Sequence, residues 1–145
     1  MNNTNNTLIL MVGLPRSGKS TRALELGHPI VSPDAIRLSI HGHYFIYESE
    51  GLVWTFARYM VQSLFEAGHD TVIMDACNTK RRRRDQWVSP KWNREFCEIN
   101  TPSYVCRQRA GQISDSGLSN ELINTIDRME SQYEPVDPSE GKIIR

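Results

Sequence analysis

Short apolar runs alternate along this chain with longer stretches in which apolar residues recur every three or four positions. Thr7–Val12 (TLILMV) is a continuous apolar run stopped by Gly13, the pattern of a strand buried on both faces. Residues 20–26 read as a short helix closed near Gly27, and Pro29–Val31 as a second short strand. Ser32 followed by Pro33 is an N-cap with proline in the first turn, so the sequence predicts a helix from Pro33 to Ile40. His41–Ser49 reads as a loop containing glycine and aromatics. After it, Val53, Phe56, Met60 and Leu64 mark the expected buried stripe of a long helix, widened by Leu52 and Phe65 and joined in the core by Trp54.

The second half repeats the alternation. Thr71–Met74 (TVIM) is a further buried strand ending at Asp75, Lys80–Trp87 looks helical, and Phe96–Ile99 is a strand stopped by Pro102. Ser103 is a candidate cap for a short helix through Arg109, and 111–117 reads as a polar, flexible link. Ser119 is the candidate cap of a last helix with Leu122, Ile123, Ile126 and Met129 on one face, and Lys142–Ile144 adds a final strand. Five buried strands alternating with amphipathic helices predict an α/β fold, a mainly parallel sheet with helices on both faces. Ligands of such sheets sit at the carboxyl ends of the strands. That places the chemistry at 13–20, 32–37 and 75–78.

Composition sets limits on this picture. The 145 residues are 39% hydrophobic and 23% charged, ordinary proportions for one domain, read here as residues 7–145 behind a polar, mobile tail at 1–6. No apolar run approaches the roughly 18 residues of a membrane-spanning helix, and the first residues have neither the basic nor the apolar part of a secretory leader. Cys77, Cys97 and Cys106 are too scattered for a disulfide framework or a zinc site, which suits a reduced, cytoplasmic protein. Seventeen basic residues balance seventeen acidic ones, but nine of the former and only three of the latter fall in residues 80–109, giving that window +6. A neutral protein with one basic region can hold a polyanion locally.

The strongest chemical signal is Gly13-Leu14-Pro15-Arg16-Ser17-Gly18-Lys19-Ser20, a complete match to G-x-x-x-x-G-K-[ST] between a predicted strand and a predicted helix. Its glycines let backbone N–H groups converge on an anion, Lys19 reaches the β- and γ-phosphates, and Ser20 is placed for Mg²⁺. Gly13, Pro15–Ser20 and Thr21 are therefore the expected nucleotide-binding residues. There is no Asn-Lys-x-Asp signature of a GTPase, and Val72–Asp75 ends in a lone acid rather than an acidic pair. ATP or GTP binding is the expectation, and the small size with a bipartite acceptor region suggests a kinase.

Four features in order carry a resemblance: the loop at 13–20, Asp34-x-x-Arg37 after the second strand, Asp75-Ala76-Cys77-Asn78 followed by an Arg-rich helix, and Arg107-Gln108-Arg109 before a helix ending Tyr133-Glu134-Pro135. Glu140-Gly141 before a short strand also fits. The chain resembles the P-loop polynucleotide kinase family, including the 5′-kinase domain of bacteriophage polynucleotide kinase, over about residues 7–145. Two positions depart from that family's usual pattern: Cys77 replaces a hydroxyl residue, and Gln108 stands where the lid usually has Asn.

The resemblance implies a three-layer P-loop fold with a lid at about 103–118. It also implies ATP and Mg²⁺ as cofactors and the 5′-OH of a polynucleotide as acceptor. It makes Asp34 the general base and Lys19, Arg107 and Arg109 the stabilisers of the transferring phosphoryl group. It gives Arg37, Asp75 and Asn78 to acceptor binding, with Ser20 and Asp75 at the metal. Each role has a plainer alternative. Asp34 is also a first-turn acid favoured by the helix dipole, and Arg37 a surface ion-pair partner. Asp75 and Asn78 suit an Asx turn. Arg81–Arg84 splay around a helix, so at most two or so face one phosphate track, and a solvated helix accounts for them as well. His41-Gly42-His43 lacks a third metal ligand. Tyr44, Phe45 and Tyr47 either stack on a base or, the preferred reading, fold back on the core. Other acceptors, a hydroxyl on a modified DNA base or on a small molecule, stay open, as does a nucleotide-binding regulatory module that transfers nothing.

Overall fold

The computed structural model describes residues 4–42 and 45–145. His43 and Tyr44 therefore lie outside the described residues, as does the start of the expected tail. Thr4–Asn6 do not hang free: Asn93 donates through its side chain to Thr4 O (2.9 Å) and through its backbone to Asn6 O (2.8 Å).

Five parallel strands form one sheet in the order β2-β3-β1-β4-β5: β1 (Thr7–Val12), β2 (Ile30–Val31), β3 (Thr71–Met74), β4 (Asn93–Glu98) and β5 (Lys142–Ile144). Between them run α1 (Lys19–Leu26), α2 (Pro33–His41), α3 (Glu50–Glu66), α4 (Arg81–Asp85), α5 (Ser103–Gly111) and α6 (Ser116–Ser131). The central strand β1 pairs Leu8 with Val72 on one side and with Arg94 on the other. Its continuous apolar run is explained by the layers. Leu8, Leu10 and Val12 pack with Val72, Met74 and Phe96 under Ile36 of α2 and Val53, Ala57 and Val61 of α3. Ile9 and Met11 face the other way, with Ile73 and Cys97, against Ala23 of α1. A third cluster joins α5 to α6: Cys106 and Ala110 meet Ile126, with Leu14 beneath them and Leu122, Ile123 and Met129 at the margin.

The departures from the expected elements have local causes. β4 starts earlier than Phe96 because parallel pairing with β1 begins at Thr7 opposite Asn93. Ser103 is the first helical residue and not a cap; Pro102 precedes α5 and offers no side-chain bond. Asp115 caps α6 by accepting from Leu118 N (3.1 Å), so Ser119 lies one turn inside the helix, buried. The flexible link shrinks to residues 112–115. In α3 the inner face is Val53, Ala57 and Val61, whereas Phe56 and Met60 are 45% and 39% exposed. The small Ala57 lets the helix approach the sheet, which rotates the bulkier Phe56 outward. Phe45 and Tyr47 likewise stay exposed and do not fold onto the core. Trp54, expected in the core, is only half-buried and packs at its margin.

Candidate active site

The carboxyl ends of β1, β2 and β3 gather the residues on which the chemistry depends. After Val12 the chain turns at Gly13, where a Cβ would come within 2.9 Å of Ser17 Oγ and 3.0 Å of Ile99 O. Only glycine allows that approach. Arg16 (φ 64°) and Gly18 (φ 101°) adopt left-handed backbone, which turns successive N–H groups toward a common concavity. Gly18 is also the residue before α1, and that helix start has no side-chain cap, so its first N–H groups are available to an anion. Lys19 is buried, and its Nζ donates to Leu14 O (2.9 Å), folded across the loop it serves. Ser17 Oγ is buried without a hydrogen-bond partner among the described residues, while Thr101 Oγ1 holds the Ser17 carbonyl at 2.7 Å. An orphaned hydroxyl beside a ring of inward N–H groups fits a phosphate chain, which supplies the missing acceptors.

Ser20 Oγ donates to Asp75 Oδ2 (2.8 Å), so the loop hydroxyl and the acid at the end of β3 form one oxygen pair. Mg²⁺ is commonly held by one or two protein oxygens, with phosphate oxygens and waters completing its octahedron. This pair fits that need. Among the described residues no three His, Cys, Asp or Glu side chains converge as a metal site, which is compatible with a metal bound largely through nucleotide and water.

On the neighbouring α2, Ser32 Oγ caps the helix by accepting from Ala35 N (3.1 Å), and Asp34 stands in the first turn, largely exposed at the same end of the sheet. Arg37, one turn on, donates from Nη1 to Asp34 Oδ1 (2.7 Å). Its Nε and Nη2 make a fork to Glu50 at 2.9 and 2.6 Å. Burial works against the Arg37 charge, but the Glu50 and Asp34 carboxylates outweigh it and hold its pKa above the ordinary value. Three of the five guanidinium N–H groups of Arg37 are thus spent on carboxylates; it orients Asp34 and ties it to α3 through Glu50, a residue the sequence pattern did not single out.

The two arginines of α5 part company. Arg109 Nη1 donates to Arg16 O (3.1 Å) and sits over the phosphate loop. Arg107 turns away to α6, 3.2 Å from Asp127 and 3.4 Å from Glu130. Asn78 is buried with φ 49°, and its side-chain amide donates to Met11 O (2.9 Å), so it fastens the loop after β3 to β1. Cys77 is a half-buried free thiol, and Gln108 is exposed.

Arg84 is the largest surprise of the Arg-rich segment. It is fully buried, paired at Nε with Glu140 Oε1 (2.9 Å) and at Nη2 with Oε2 (3.1 Å). Its Nη1 donates to Asn78 O and Glu134 O, both at 2.9 Å. The node pins the loop carrying Asp75 and Asn78 to the chain leaving α6. Nearby, the Tyr133 hydroxyl donates to Glu98 Oε2 (2.6 Å); burial and that carboxylate push the phenol well above its ordinary pKa. The sequence signals for this node were weak, a lone Glu140 before Gly141 and one arginine among four.

A nucleotide-shaped loop, a Ser–Asp oxygen pair and a carboxylate on the adjacent strand's helix define a P-loop phosphotransferase. A family model described as "AAA domain" matches residues 8–136, and the chain belongs to that family of P-loop kinase domains. No curated protein matches the chain in a sequence comparison. Among solved structures, a chain of the Pnkp1/Rnl/Hen1 complex is similar at 23% identity and TM-score 0.66, over 80% of this chain and 43% of the other. The chain thus spans less than half of that neighbour. A sugar kinase from Janibacter sp. HTCC2649 is similar at 20% identity and TM-score 0.65, over 96% of this chain and 83% of the other. A gluconokinase from Sinorhizobium meliloti 1021 aligns at 19% identity and TM-score 0.52, over 98% and 82% of the two chains. These likenesses establish the fold. No helix among the described residues is long and apolar enough to cross a membrane.

Proposed function

We propose that this P-loop kinase moves the γ-phosphate of ATP onto a hydroxyl, the 5′-OH of a polynucleotide. The observation that carries the reading is the Asp34–Arg37–Glu50 cluster at the phosphate-loop end of the sheet: a solvent-facing carboxylate held by an arginine that a partly buried fork fixes to Glu50. Its position suits the base of a transfer reaction, in which the acceptor oxygen attacks the γ-phosphorus. The proton of that hydroxyl passes to Asp34, and the bond to the β-bridging oxygen breaks to release ADP. Lys19 and Arg109 neutralise the charge that spreads over the transferring group. Ser20 and Asp75 would hold Mg²⁺, which would supply Lewis-acid polarisation of the phosphate oxygens.

A nucleic acid rather than a sugar as acceptor is supported by Arg83 of α4, which lies over the same Trp54 ring as the Asp34-bound Arg37, and by the likeness to a chain of an RNA-repair complex. The cytoplasm is the expected site of such a reaction.

The test is transfer of label from γ-labelled ATP to 5′-OH DNA and RNA oligonucleotides, hydroxymethylated duplex DNA, free nucleosides and gluconate. Label on 5′-OH ends, abolished in Lys19→Ala and in Asp34→Asn while Asp34→Asn still binds ATP, is the expected result. Label only on gluconate or on the modified duplex removes the polynucleotide acceptor. Absence of label with ATP binding intact removes the kinase activity and favours a regulatory module.

A further inference from the structure

The outer face of α3 is apolar where a solvated helix is ordinarily charged. At about 100° per residue the buried Val53, Ala57 and Val61 take one side of the helix, and Leu52, Phe56, Tyr59 and Met60 form a second stripe beside and behind it. All four are exposed, Tyr59 most of all at 68%, and Thr55 and Ser63 complete the band. From Leu52 to Ser63 this band holds no charged side chain. The charges of α3 lie elsewhere. Glu50 is spent on Arg37, Arg58 donates to Gln86 O and lies over the Trp87 ring, and Glu66 closes the band at the last helical residue.

Single exposed apolar residues are ordinary, but four large ones in line over about two turns make an unpartnered face. Its charge and its area indicate what covers it. The band is neutral, so it offers no counter-charge to a nucleic acid or a charged peptide, whereas against itself it meets no like charge. The whole chain is neutral too, seventeen cations against seventeen anions, so two copies approach without net repulsion. At full areas of roughly 200 Å² each, four side chains exposed to this degree present on the order of 400 Å², and about 500 Å² with Thr55 and Ser63. Two copies then remove about 1,000 Å² from water, the least that a specific interface needs.

We propose that α3 is the contact of a homodimer, its apolar band packed on the same band of a second copy across a two-fold axis. Such a contact pairs residue i with j and j with i, so antiparallel α3 helices set Phe56 of each copy against Tyr59 of the other, close to the axis. Leu52 and Met60 extend the apolar contact to either side, and Glu66 falls at the rim. The flank of α3 that carries Glu50 and Trp54 faces α2 and α4 instead. The dimer therefore does not depend on which hydroxyl the kinase phosphorylates, nor on whether it transfers phosphate at all.

Sedimentation equilibrium of the whole chain, from about 1 to 300 µM, tests the proposal. The average mass should rise from 16.6 kDa toward twice that value, with a Kd of about 1–100 µM for so small an interface. Tyr59→Glu brings two carboxylates together near the axis and should weaken association at least 100-fold, and Phe56→Ser should weaken it at least tenfold. Leu24→Glu, at a leucine of α1 that is also exposed, should leave it unchanged. Thermal melting of the variants at the lowest concentration, followed by circular dichroism, should match wild type, because all three positions face solvent. A wild type that keeps monomer mass throughout overturns the proposal and leaves the face to another protein or a lipid surface. A dimer that survives Tyr59→Glu places the contact elsewhere and overturns it as well. Association that climbs past twice the monomer mass without levelling does the same, since the contact then fails to close.

Discussion

Removing the guanidinium of Arg84 isolates the worth of the buried node. Arg84→Met keeps most of the side-chain volume but leaves the Glu140 carboxylate, fully enclosed, without its fork. It also strips donors from Asn78 O and Glu134 O. Glu140 retains only the backbone N–H of Asp137 at 2.9 Å. Breaking one side of a buried ion pair costs about 3–5 kcal/mol, because the surviving charge stays desolvated. For a domain of this size that is a fall in Tm of about 10–15 °C. Replacing both partners, Arg84→Met with Glu140→Leu, should recover a good part of the loss, since no charge is then left buried.

The pH dependence gives the sharper signature. In the wild type burial alone would raise the Glu140 pKa, but the Arg84 hydrogen bonds, the Asp137 N–H and the Arg84 charge reverse that and hold it below its ordinary 4.5. A carboxyl depressed on folding stabilises above its unfolded pKa, and that stability is lost as pH falls through the folded one. In Arg84→Met only the Asp137 N–H and the Arg81 charge still oppose burial, so the folded pKa rises and the folded state binds the extra proton. Lowering the pH from 7 toward 5 should therefore restore stability to Arg84→Met while the wild type stays level or weakens. Urea unfolding followed by circular dichroism at pH 5, 6 and 7 measures both. A loss under 1 kcal/mol at pH 7, or a mutant that weakens in parallel with wild type on acidification, would refute the reasoning.

Ser20→Ala should raise the Mg²⁺ concentration needed for half-maximal ATP turnover several-fold, read by titrating the metal at fixed ATP, because only Asp75 then remains of the oxygen pair. Gly13→Ala forces a Cβ to within 3.0 Å of the Ile99 carbonyl, and it should lower nucleotide affinity at least tenfold by equilibrium dialysis. Glu50→Gln removes one carboxylate from the Arg37 fork and should lower kcat with little change in the KM for ATP, if Glu50 acts by positioning Asp34 through Arg37.

Much of this molecule is legible in its sequence because the informative residues act locally. Thr7–Val12, Ser32-Pro33 and the eight residues from Gly13 carry their element or chemistry in their own order, and the parallel sheet follows from their alternation. What was not legible depends on partners distant in the chain. Arg84 and Glu140 are 56 positions apart, and no local rule distinguishes Arg84 from the arginines on either side. The inner face of α3 is ambiguous in the sequence for a related reason: helical spacing fits both Val53/Phe56/Met60 and Val53/Ala57/Val61. The close approach of the sheet, a tertiary fact, selects the second. Ser119 and Asp115 are both capping residue types, and the start of α6 at Ser116 selects Asp115.

The basic window from Lys80 to Arg109 illustrates how a charge count differs from an available charge. Nine cations stand there, but Arg84 is paired in the core and Arg107 is matched to two acids of α6. Arg94 leans on Asp85 and donates to the Arg84 carbonyl. Lys91 lies beside Asn6 and Trp92 at the far end of the sheet from the phosphate loop, where β1 and β4 begin. An anionic strand approaching Asp34 therefore meets a narrow set, chiefly Arg83 on its indole with Arg82 beside it and Arg109 over the loop. Few cations mean few counterions released on binding, so the logarithm of acceptor affinity should fall with the logarithm of salt at a slope of about −2 to −3. A slope of −6 or steeper would mean that the whole window engages the strand, and that the ion pairs found here open when it does.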